Sequence, residues 1–556
     1  MNVVSSAPPF REIPFARLCA WATLAVLAAN LIGLGSFPLL DVDEPRFATA
    51  SRNLMRGHEW IVPWFNGEER FDKPILVYWL QAACMRLFGA GEFAARLPSA
   101  LAIAGVVPCV ASIGRAFALR PLFAVLAGVA VATCAIAQAM AHGATADALL
   151  LFLVCLTAKQ QIDVFTGKGS WKTTLGAWCT GALAFLTKGP PAVVAPLALA
   201  IGMVAAGHRP NRRISLAGLA VATWIVLSWA IPALIRTDGR FWTVGVMHHV
   251  VDRSLQPFEG HGGQAVWWYL FYVVAIPAAF LPWSPFLLAL PHRAKSLEPR
   301  TSRLLWSWFG ITFAVFTISA SKLPHYPLPG FPPLAIAAMS AVQDVSLTRP
   351  RAIDRTIALV LAAVGVLIAI AVVAVFPAMH LPLEAAVPIA AATFLVGFLS
   401  AALFAWRGRL AHAATATAIA ALAGFAQVSS GVLPTFFERG IQRAAVAAAP
   451  QAFPAAAHLA TWNLSMPSLV FYLDRHIEML DGDDAPRALR LLAEDGNLLV
   501  LEKRRLHELS EALAAATDLP AASVTRIRTA LDTPRHELNG FTTNKGKMVE
   551  LVVIGS

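Results

Sequence analysis

Acidic and basic residues that could act together on one substrate cluster in short segments between long apolar runs. The first segment, residues 41–46, has the sequence DVDEPR, and Asp72 and Lys73 follow it. A carboxylate such as Asp43 can take or orient a proton, and cations such as Arg46 can neutralise a phosphate. A structural interpretation is also open, because Asp43 could only cap a helix and the cations could only contact lipid headgroups.

Two further ionisable residues lie inside or beside apolar runs. Asp147 stands in the sequence ATADAL, and Lys188 stands in LTKGPP. Because a charge within the bilayer is costly, such residues usually have a function. The structural alternatives are an ion pair of Asp147 with a nearby cation and snorkelling of Lys188 to the headgroups.

Two later segments add histidines and another lysine. Residues 236–265 contain His248 and His249, and residues 320–327 contain SKLPHY, which includes Lys322. Histidine side chains can transfer protons or bind a metal, although a single loop histidine more often only forms hydrogen bonds. These segments supply candidate side chains rather than an assigned site.

The elements that must position these residues are mostly membrane helices. Of the 556 residues, 57% are hydrophobic and 14% charged, and the mean hydropathy of +0.62 is too high for a soluble globular protein. The net charge of +11 lies in short Lys and Arg clusters between apolar runs, which argues against a nucleic-acid-binding face. All six cysteines precede residue 180 without ligand spacing, which argues against a disulfide framework or a zinc finger.

Thirteen apolar runs approach the length of about 20 residues that a spanning helix needs. The predicted fold is therefore mainly α, a polytopic transmembrane helical bundle. The predicted spans are 18–36, 95–114, 121–140, 145–162, 173–187, 190–207, 214–235, 266–290, 303–320, 327–343, 356–377, 385–406 and 411–431.

The segments between these spans alternate in charge. By the positive-inside rule the segments rich in Lys and Arg face the cytoplasm, and the others face the exterior. The first exterior segment carries apolar stripes at helical spacing, which predict amphipathic helices lying in the membrane interface. The exterior segments are about 37–94, 138–146, 187–190, 236–265, 320–327 and 378–384.

The composition changes in the last quarter of the chain. Residues 1–431 form the predicted transmembrane domain, whereas 432–556 are richer in Arg, Glu and Asp. Leu498–Leu501 and Val549–Ile554 read as short strands beside helical stretches such as Arg504–Ala515. The pattern predicts a small C-terminal α/β domain, which an odd number of spans places on the exterior side.

Four motifs in order resemble a known family. They are Asp41-Val-Asp-Glu-Pro-Arg46, Phe71-Asp-Lys-Pro74 with Tyr78-Trp79, Leu186-Thr-Lys-Gly-Pro190, and Ser321-Lys-Leu-Pro324 with Tyr326. Their order and spacing are similar to those of glycosyltransferase family 83, a group of GT-C, protein-mannosyltransferase-like enzymes that includes bacterial lipid A aminoarabinose transferases. Each motif alone is weak, and the four in order are specific.

The resemblance implies transfer of a sugar from a polyprenyl-phosphate donor to an acceptor at the periplasmic face of the bacterial inner membrane. Lipid A is the expected acceptor. Asp43 matches the family's catalytic acid, and Asp147 matches a second functional carboxylate. The positions expected to hold the donor's phosphate are Arg46, Lys73, Lys188 and Tyr326, with Lys322 beside them.

A zinc-like divalent metal ion is a further expectation, with Asp72, His248 and His249 as its ligands. The family often has Glu where this chain has Asp72, and the side chain that is one methylene shorter changes the reach to a metal. No nucleotide cofactor is expected, because the sequence has no nucleotide-binding loop. The expected partners are the donor, the acceptor and membrane lipids, without nucleic acid.

Two other functions remain open at this point. A transporter or flippase would also carry charged residues in its spans, although the sequence shows no repeat-related halves. A glycosyltransferase with a protein or another glycan as acceptor would need Asp43 as a true general base. The sequence does not identify the sugar.

Overall fold

The computed structural model describes residues 13–57, 59–252, 266–293, 297–343, 351–454, 457–517, 519–542 and 547–555. Helices build the first part of the chain, and a five-stranded sheet with helices forms the last part. The two parts meet at residues 37–94, which we call the first loop.

The helices of the first part follow the predicted apolar runs, and each of the thirteen runs contains at least one helix. In chain order they are α1 (Phe15–Leu31), α2 (Asp43–Arg56), α3 (Leu76–Phe88), α4 (Glu92–Ala116), α5 (Pro121–Ala132), α6 (Ala135–Ala141), α7 (Asp147–Phe165), α8 (Trp171–Lys188), α9 (Pro191–Ala205), α10 (Arg212–Arg236), α11 (Phe271–Ala279), α12 (Leu290–Arg293), α13 (Pro299–Ile318), α14 (Phe331–Gln343), α15 (Ala352–Ala378), α16 (Ala386–Trp406), α17 (Leu410–Gln427) and α18 (Leu433–Glu438). Shorter 3₁₀ or π-helical segments are Phe241–Asp252, Val266–Leu270, Ser284–Ala289, Leu328–Gly330 and Val428–Val432.

Six helices in the described part of the chain are long and apolar enough to cross a membrane. They are α4, α7, α10, α15, α16 and the helical run Leu410–Glu438. A seventh span results if α5 and α6 are joined across their 64° bend. The structure therefore shows a multi-pass helical bundle, and the count of thirteen spans stays a prediction.

Small residues let the central helices approach closely. Gly105 in α4 leaves no room for a side chain, because an added Cβ would lie 2.7 Å from the ring of Phe152 in α7. At Gly128 in α5 an added Cβ would lie 2.5 Å from the carbonyl oxygen of Val107 in α4. Close backbone approach of this kind is typical of helix packing in membranes. It places α4, which carries Arg96, at the centre of the bundle.

The first loop folds as two helices and a hairpin. α2 is followed by an antiparallel hairpin of β1 (Trp64–Phe65) and β2 (Glu68–Glu69), and then by α3. The predicted apolar stripe of α2, which includes Phe47 and Leu54, is buried within the protein. The ring of Phe47 stacks on Tyr78 of α3 at 5.3 Å. The stripe therefore packs against other parts of the protein, whereas the sequence predicted that it would contact the membrane interface.

The sheet of the last part has the strand order β4-β3-β5-β7-β6. β3 pairs in parallel with β4 and β5, whereas β7 pairs antiparallel with β5 and β6. The strands are β3 (Leu459–Trp462), β4 (Glu478–Leu480), β5 (Leu498–Glu502), β6 (His536–Thr542) and β7 (Lys547–Gly555). The helices are α19 (Ile441–Ala452), α20 (Pro467–Leu473), α21 (Ala485–Ala493), α22 (Leu506–Ala515) and α23 (Ala521–Asp532).

Both faces of this sheet are covered. Every residue of β5 is buried, as expected for a strand between two layers of helices. Leu498 and Val500 of this strand pack in one apolar cluster with α19 and α20, and Leu499 and Leu501 pack in a second with α21 and α22. α20 therefore lies on a single face of the sheet.

Candidate active site

A buried ion pair fixes the start of α2. Arg96 is fully buried and donates five hydrogen bonds, two to the carboxylate of Glu44 and three to carbonyl oxygens of residues 34–38. Glu44 also accepts from the backbone N–H groups of Leu40 and Ala144, at 2.7 and 2.6 Å. These bonds use all five N–H donors of the guanidinium. The first turn of α2 is thus held in place by charge-assisted bonds on its buried side.

Asp43 lies on the other side of the same turn. It is exposed at the first position of α2. Its charge acts on Arg70 and on His325, which belongs to the segment between α13 and α14. The charge of Asp43 therefore acts on side chains from two separate parts of the chain.

Arg70 extends the site from the hairpin side. It is buried, donates to the hydroxyl of Tyr78 at 3.1 Å and pairs with Asp72 at 2.7 Å. Burial opposes its charge, but Tyr78 and Asp72 together hold the Arg70 pKa above its usual value. Arg70 therefore remains a cation beside Asp43.

Asp147 and Lys188 form a second ion pair at one end of the helical bundle, which we call the bundle end. Asp147 is the first residue of α7 and Lys188 the last residue of α8, and the two side chains make a close contact, with 14% and 11% of their areas exposed. An acid at a helix start and a base at a helix end also complement the two helix dipoles. The Lys188 ammonium lies 5.2 Å from the ring centre of Tyr326. The pair thus faces the segment that precedes α14.

His325 lies beside the Asp147–Lys188 pair. Its Nε2 is 3.6 Å from Asp147, and its ring contacts that of Tyr326 edge to face at 5.0 Å. Burial lowers the pKa of His325 to about 4, against the opposing effect of the Asp147 charge. His325 is therefore neutral at neutral pH, and its charge state depends on both Asp43 and Asp147.

Lys73 completes this group. Its ammonium donates to the carbonyl oxygen of Asp72 at 2.9 Å, and its charge acts on Asp147 and His325. The structure thus brings together Asp43, Asp147, Lys73, Lys188 and Tyr326 of the predicted set, from four segments of the chain.

The remaining predicted phosphate ligands have other neighbours. Lys322 is buried, donates to the carbonyl oxygen of Ser319 at 2.6 Å and lies 5.5 Å from the ring centre of Tyr269. Arg46 is partly buried, and its charge acts on Asp41.

The predicted metal ligands do not form a described site. Asp72 is engaged by Arg70, and the side chains of His248 and His249 lie outside the described residues. In the part of the chain that the structure describes, no three His, Cys, Asp or Glu side chains are grouped to hold a metal ion. The metal therefore stays a prediction, and no step of the chemistry is assigned to it.

A small pocket lies against the cations of the first loop. It has room for about one water molecule, about 10 Å³. Two cations and several apolar or aromatic side chains line it: Ile61, Val62, Pro63, Arg70, Phe71, Lys73, Trp229, Ala233 and Phe241. Small-molecule sites usually have at least roughly 300 Å³, so no ligand is assigned to this gap.

Four residues of the site were not assigned from the sequence: Arg70, His325, Glu44 and Arg96. Arg70 and His325 are adjacent in sequence to the motif residues Phe71 and Tyr326. This adjacency is the one sequence feature that indicates a role for them in the site. Nothing in the sequence distinguishes Glu44 from Asp43 as the buried partner of Arg96.

Comparison with known sequences points to one group of enzymes. Residues 72–235 match the family model described as dolichyl-phosphate-mannose-protein mannosyltransferase. The chain is 29% identical over 344 residues to an undecaprenyl phosphate-alpha-4-amino-4-deoxy-L-arabinose arabinosyl transferase of Edwardsiella ictaluri, covering 59% of this chain and 60% of that protein. It is 28% identical over 330 residues to the Pseudomonas aeruginosa PAO1 protein of the same name, covering 58% of each. The chain thus matches about three-fifths of the length of these relatives.

Solved structures extend the likeness over nearly the whole chain. ArnT from Cupriavidus metallidurans bound to undecaprenyl phosphate superposes with a TM-score of 0.74 at 20% identity, covering 97% of this chain and 98% of that one. The oligosaccharyltransferase of Archaeoglobus fulgidus gives a TM-score of 0.55 at 12% identity, covering 89% and 70%. The predicted resemblance to the GT-C glycosyltransferases is confirmed, and the fold is theirs.

Proposed function

We propose that this protein transfers a sugar from a polyprenyl-phosphate donor to an acceptor at the exterior face of the membrane, with lipid A as the first candidate. One observation carries the proposal: the Asp147–Lys188 pair meets His325 and Tyr326 at the bundle end. The charge of the exposed Asp43 acts on the same histidine. Similar proteins are named as arabinosyl transferases that use an undecaprenyl phosphate-linked sugar, which supports it.

The chemistry follows from the charges. The bond between the sugar's anomeric carbon and the phosphate oxygen breaks, and its electron pair leaves with the polyprenyl phosphate. Lys73 and Lys188 neutralise that phosphate as its charge develops. The acceptor oxygen forms the new bond to the anomeric carbon.

The role of Asp43 depends on the acceptor. A hydroxyl must lose its proton, and Asp43 is the exposed carboxylate that takes it. A lipid A phosphate is already ionised, and in that case Asp43 orients the acceptor. This difference separates a lipid A transferase from a protein or glycan transferase.

Membrane placement is part of the proposal. We place thirteen spans in the bacterial inner membrane, with the first loop and the C-terminal domain on the periplasmic side. The Lys- and Arg-rich segments between the apolar runs support this orientation. Cysteine labelling with an impermeant reagent at a single engineered position in the C-terminal domain tests it: labelling of intact spheroplasts is expected, and labelling only after lysis would contradict it.

The metal prediction for Asp72, His248 and His249 has a separate test. Transfer is measured after treatment with EDTA and again after Zn²⁺ is returned. Loss and recovery of transfer would support a metal, and unchanged transfer would remove it.

The proposed function is tested by mass spectrometry of lipid A and total glycolipid. Cells lacking the gene are compared with cells that carry the unaltered protein or Asp43→Asn. A sugar-sized mass lost on deletion and restored only by the unaltered protein is expected. A mass change confined to protein or other glycans would select another acceptor, and unchanged glycans throughout would favour a transporter.

A further inference from the structure

The carboxylate of Asp41, two residues before Asp43, is bonded to the C-terminal domain. One oxygen accepts from the backbone N–H of Ser468 at 2.8 Å, and the other accepts from the Ser468 hydroxyl at 2.5 Å and from the Gln442 amide at 3.0 Å. Ser468 belongs to α20 and Gln442 to α19. Residues more than 400 positions apart thus meet immediately before the start of α2.

These bonds give Asp41 a different role from Asp43. Burial raises the pKa of Asp41, and the donors from Ser468 and Gln442 act in the opposite direction, so they stabilise its charged form. Both oxygens are directed at the C-terminal domain. Asp41 therefore attaches the first loop to the C-terminal domain, although it belongs to the same motif as the exposed Asp43.

α20 also holds the other end of α2. Arg52 pairs with Asp474 at 3.0 Å and donates to the carbonyl oxygen of Phe471 at 2.7 Å. Arg56 pairs with the same Asp474 at 2.6 Å. α20 and the residue that follows it thus contact α2 near both of its ends.

The hairpin that leads to Lys73 is attached to the same domain. The side chain of Asn66, between β1 and β2, donates to the carbonyl oxygen of Ile477 at 2.8 Å and accepts from its N–H at 2.9 Å. The hydroxyl of Tyr472 accepts from the N–H of Leu39 at 2.9 Å. Three points of the first loop, before, within and after α2, are therefore fixed by residues 442–477.

We propose that the C-terminal domain is a working part of the active site, in which Ser468 and Gln442 are positioning residues that act through Asp41 to set the place of Asp43. The proposal rests on the proposed function, because Asp43 is its reacting group. A shift of about 1 Å in a reacting group can cost about 100-fold in rate. Charge-assisted bonds such as those to Asp41 are strong enough to prevent such a shift.

The test removes the two side-chain donors and follows two readouts. Ser468→Ala with Gln442→Ala is compared with Ser465→Ala with Gln451→Ala, a control pair at exposed positions. Ser465 immediately precedes α20, and Gln451 lies in α19, the helix of Gln442. Hydrogen exchange is measured for peptides covering residues 37–56. Transfer is measured with undecaprenyl phosphate-4-amino-4-deoxy-L-arabinose as donor and lipid A as acceptor, on purified full-length protein.

We expect exchange at residues 37–46 to become about tenfold faster in the Ser468/Gln442 variant, as the loss of about one strong hydrogen bond predicts. We expect kcat to fall about 10- to 100-fold, with KM for the donor changed less than about threefold. The matched control should leave both readouts unchanged. Ser468→Thr, which keeps a hydroxyl, should recover much of kcat and guards against a general folding defect.

Two outcomes would overturn the proposal. Unchanged exchange at residues 37–46 would show that the bonds to Asp41 do not hold the loop. Faster exchange with unchanged kcat would show that the attachment of the first loop to the C-terminal domain does not affect transfer. If the unaltered protein shows no transfer, the proposed function is wrong. The hydrogen-exchange data would still show whether the bonds to Asp41 hold the first loop in place.

Discussion

Asp43 and Glu44 are neighbours in one motif, yet the structure gives them opposite surroundings. Glu44 is buried and accepts four hydrogen bonds, two from Arg96 and two from backbone N–H groups. Asp43 is exposed, and its charge acts on Arg70 and His325. Successive residues on a helix point about 100° apart, so one carboxylate enters the core while the other reaches the site.

This difference separates charges that fix the structure from charges that can meet a ligand. A charge whose bonds go to backbone groups from several segments fixes the architecture. A charge that faces other side chains at the bundle end can exchange those neighbours for a ligand. Each variant below is expected to change one of these properties and leave the other.

The largest expected effect is the loss of transfer in Asp43→Asn. If Asp43 takes or orients a proton, transfer should fall by about 1,000-fold, within the range for general acid–base groups. The thermal midpoint should stay that of the unaltered protein, because Asp43 is exposed. A rate assay and a melting curve on one preparation check this, and near-normal transfer would remove Asp43 from the chemistry.

Glu44→Gln should have the reverse pattern. It leaves Arg96 buried without its anionic partner, which costs about 3–5 kcal/mol of stability when a buried pair is broken. A large fall in the thermal midpoint in detergent, or loss of folded protein in the membrane, is the expected result. An unchanged midpoint would show that the pair does not hold α2.

The Asp147–Lys188 pair can be divided into its two roles. Lys188→Met alone should destabilise the protein, because it removes the ion-pair partner of Asp147, whose side chain is only 14% exposed. The double variant Asp147→Asn with Lys188→Met should recover the thermal midpoint but not transfer, with a rate loss of about 100-fold from the missing electrostatic stabilisation. Recovery of transfer in the double variant would mean that the pair is only structural.

Substitution of His325 should have the smallest effect, which is a change in how the stability of the protein depends on pH. Its pKa is about 4 in the folded protein and near its ordinary value of 6.5 when unfolded. Between these values the unfolded state binds more protons, so stability falls as the pH is lowered from about 6.5 towards about 4. Melting curves at about pH 7 and pH 5 should show a smaller drop for His325→Asn than for the unaltered protein, and equal drops would contradict the assignment.

Sequence reasoning predicted the helical segments well, because long apolar runs leave a backbone few choices in lipid. The 64° bend between α5 and α6 falls inside the single predicted run 121–140. Composition alone does not reveal such a bend. The number of spans depends on whether two helices separated by such a bend cross the membrane as one span.

The candidate site could be predicted only in part. Asp147 and Lys188 stand out because they interrupt apolar runs, whereas Arg70 and His325 lie in polar segments where charged residues are common. The attachment of Asp41 to Ser468 has no periodic signal in the sequence. It arises from tertiary packing of α20 on α2.

The central claim is that the lysines at the bundle end hold the donor's phosphate while Asp43 acts on the acceptor. It is tested most directly by measuring undecaprenyl phosphate binding to the unaltered protein, Asp43→Asn and Lys73→Met. We expect Asp43→Asn to bind as tightly as the unaltered protein, and Lys73→Met to bind about tenfold more weakly because it loses one charge-assisted contact. Equal binding by Lys73→Met, or loss of binding in Asp43→Asn, would contradict it.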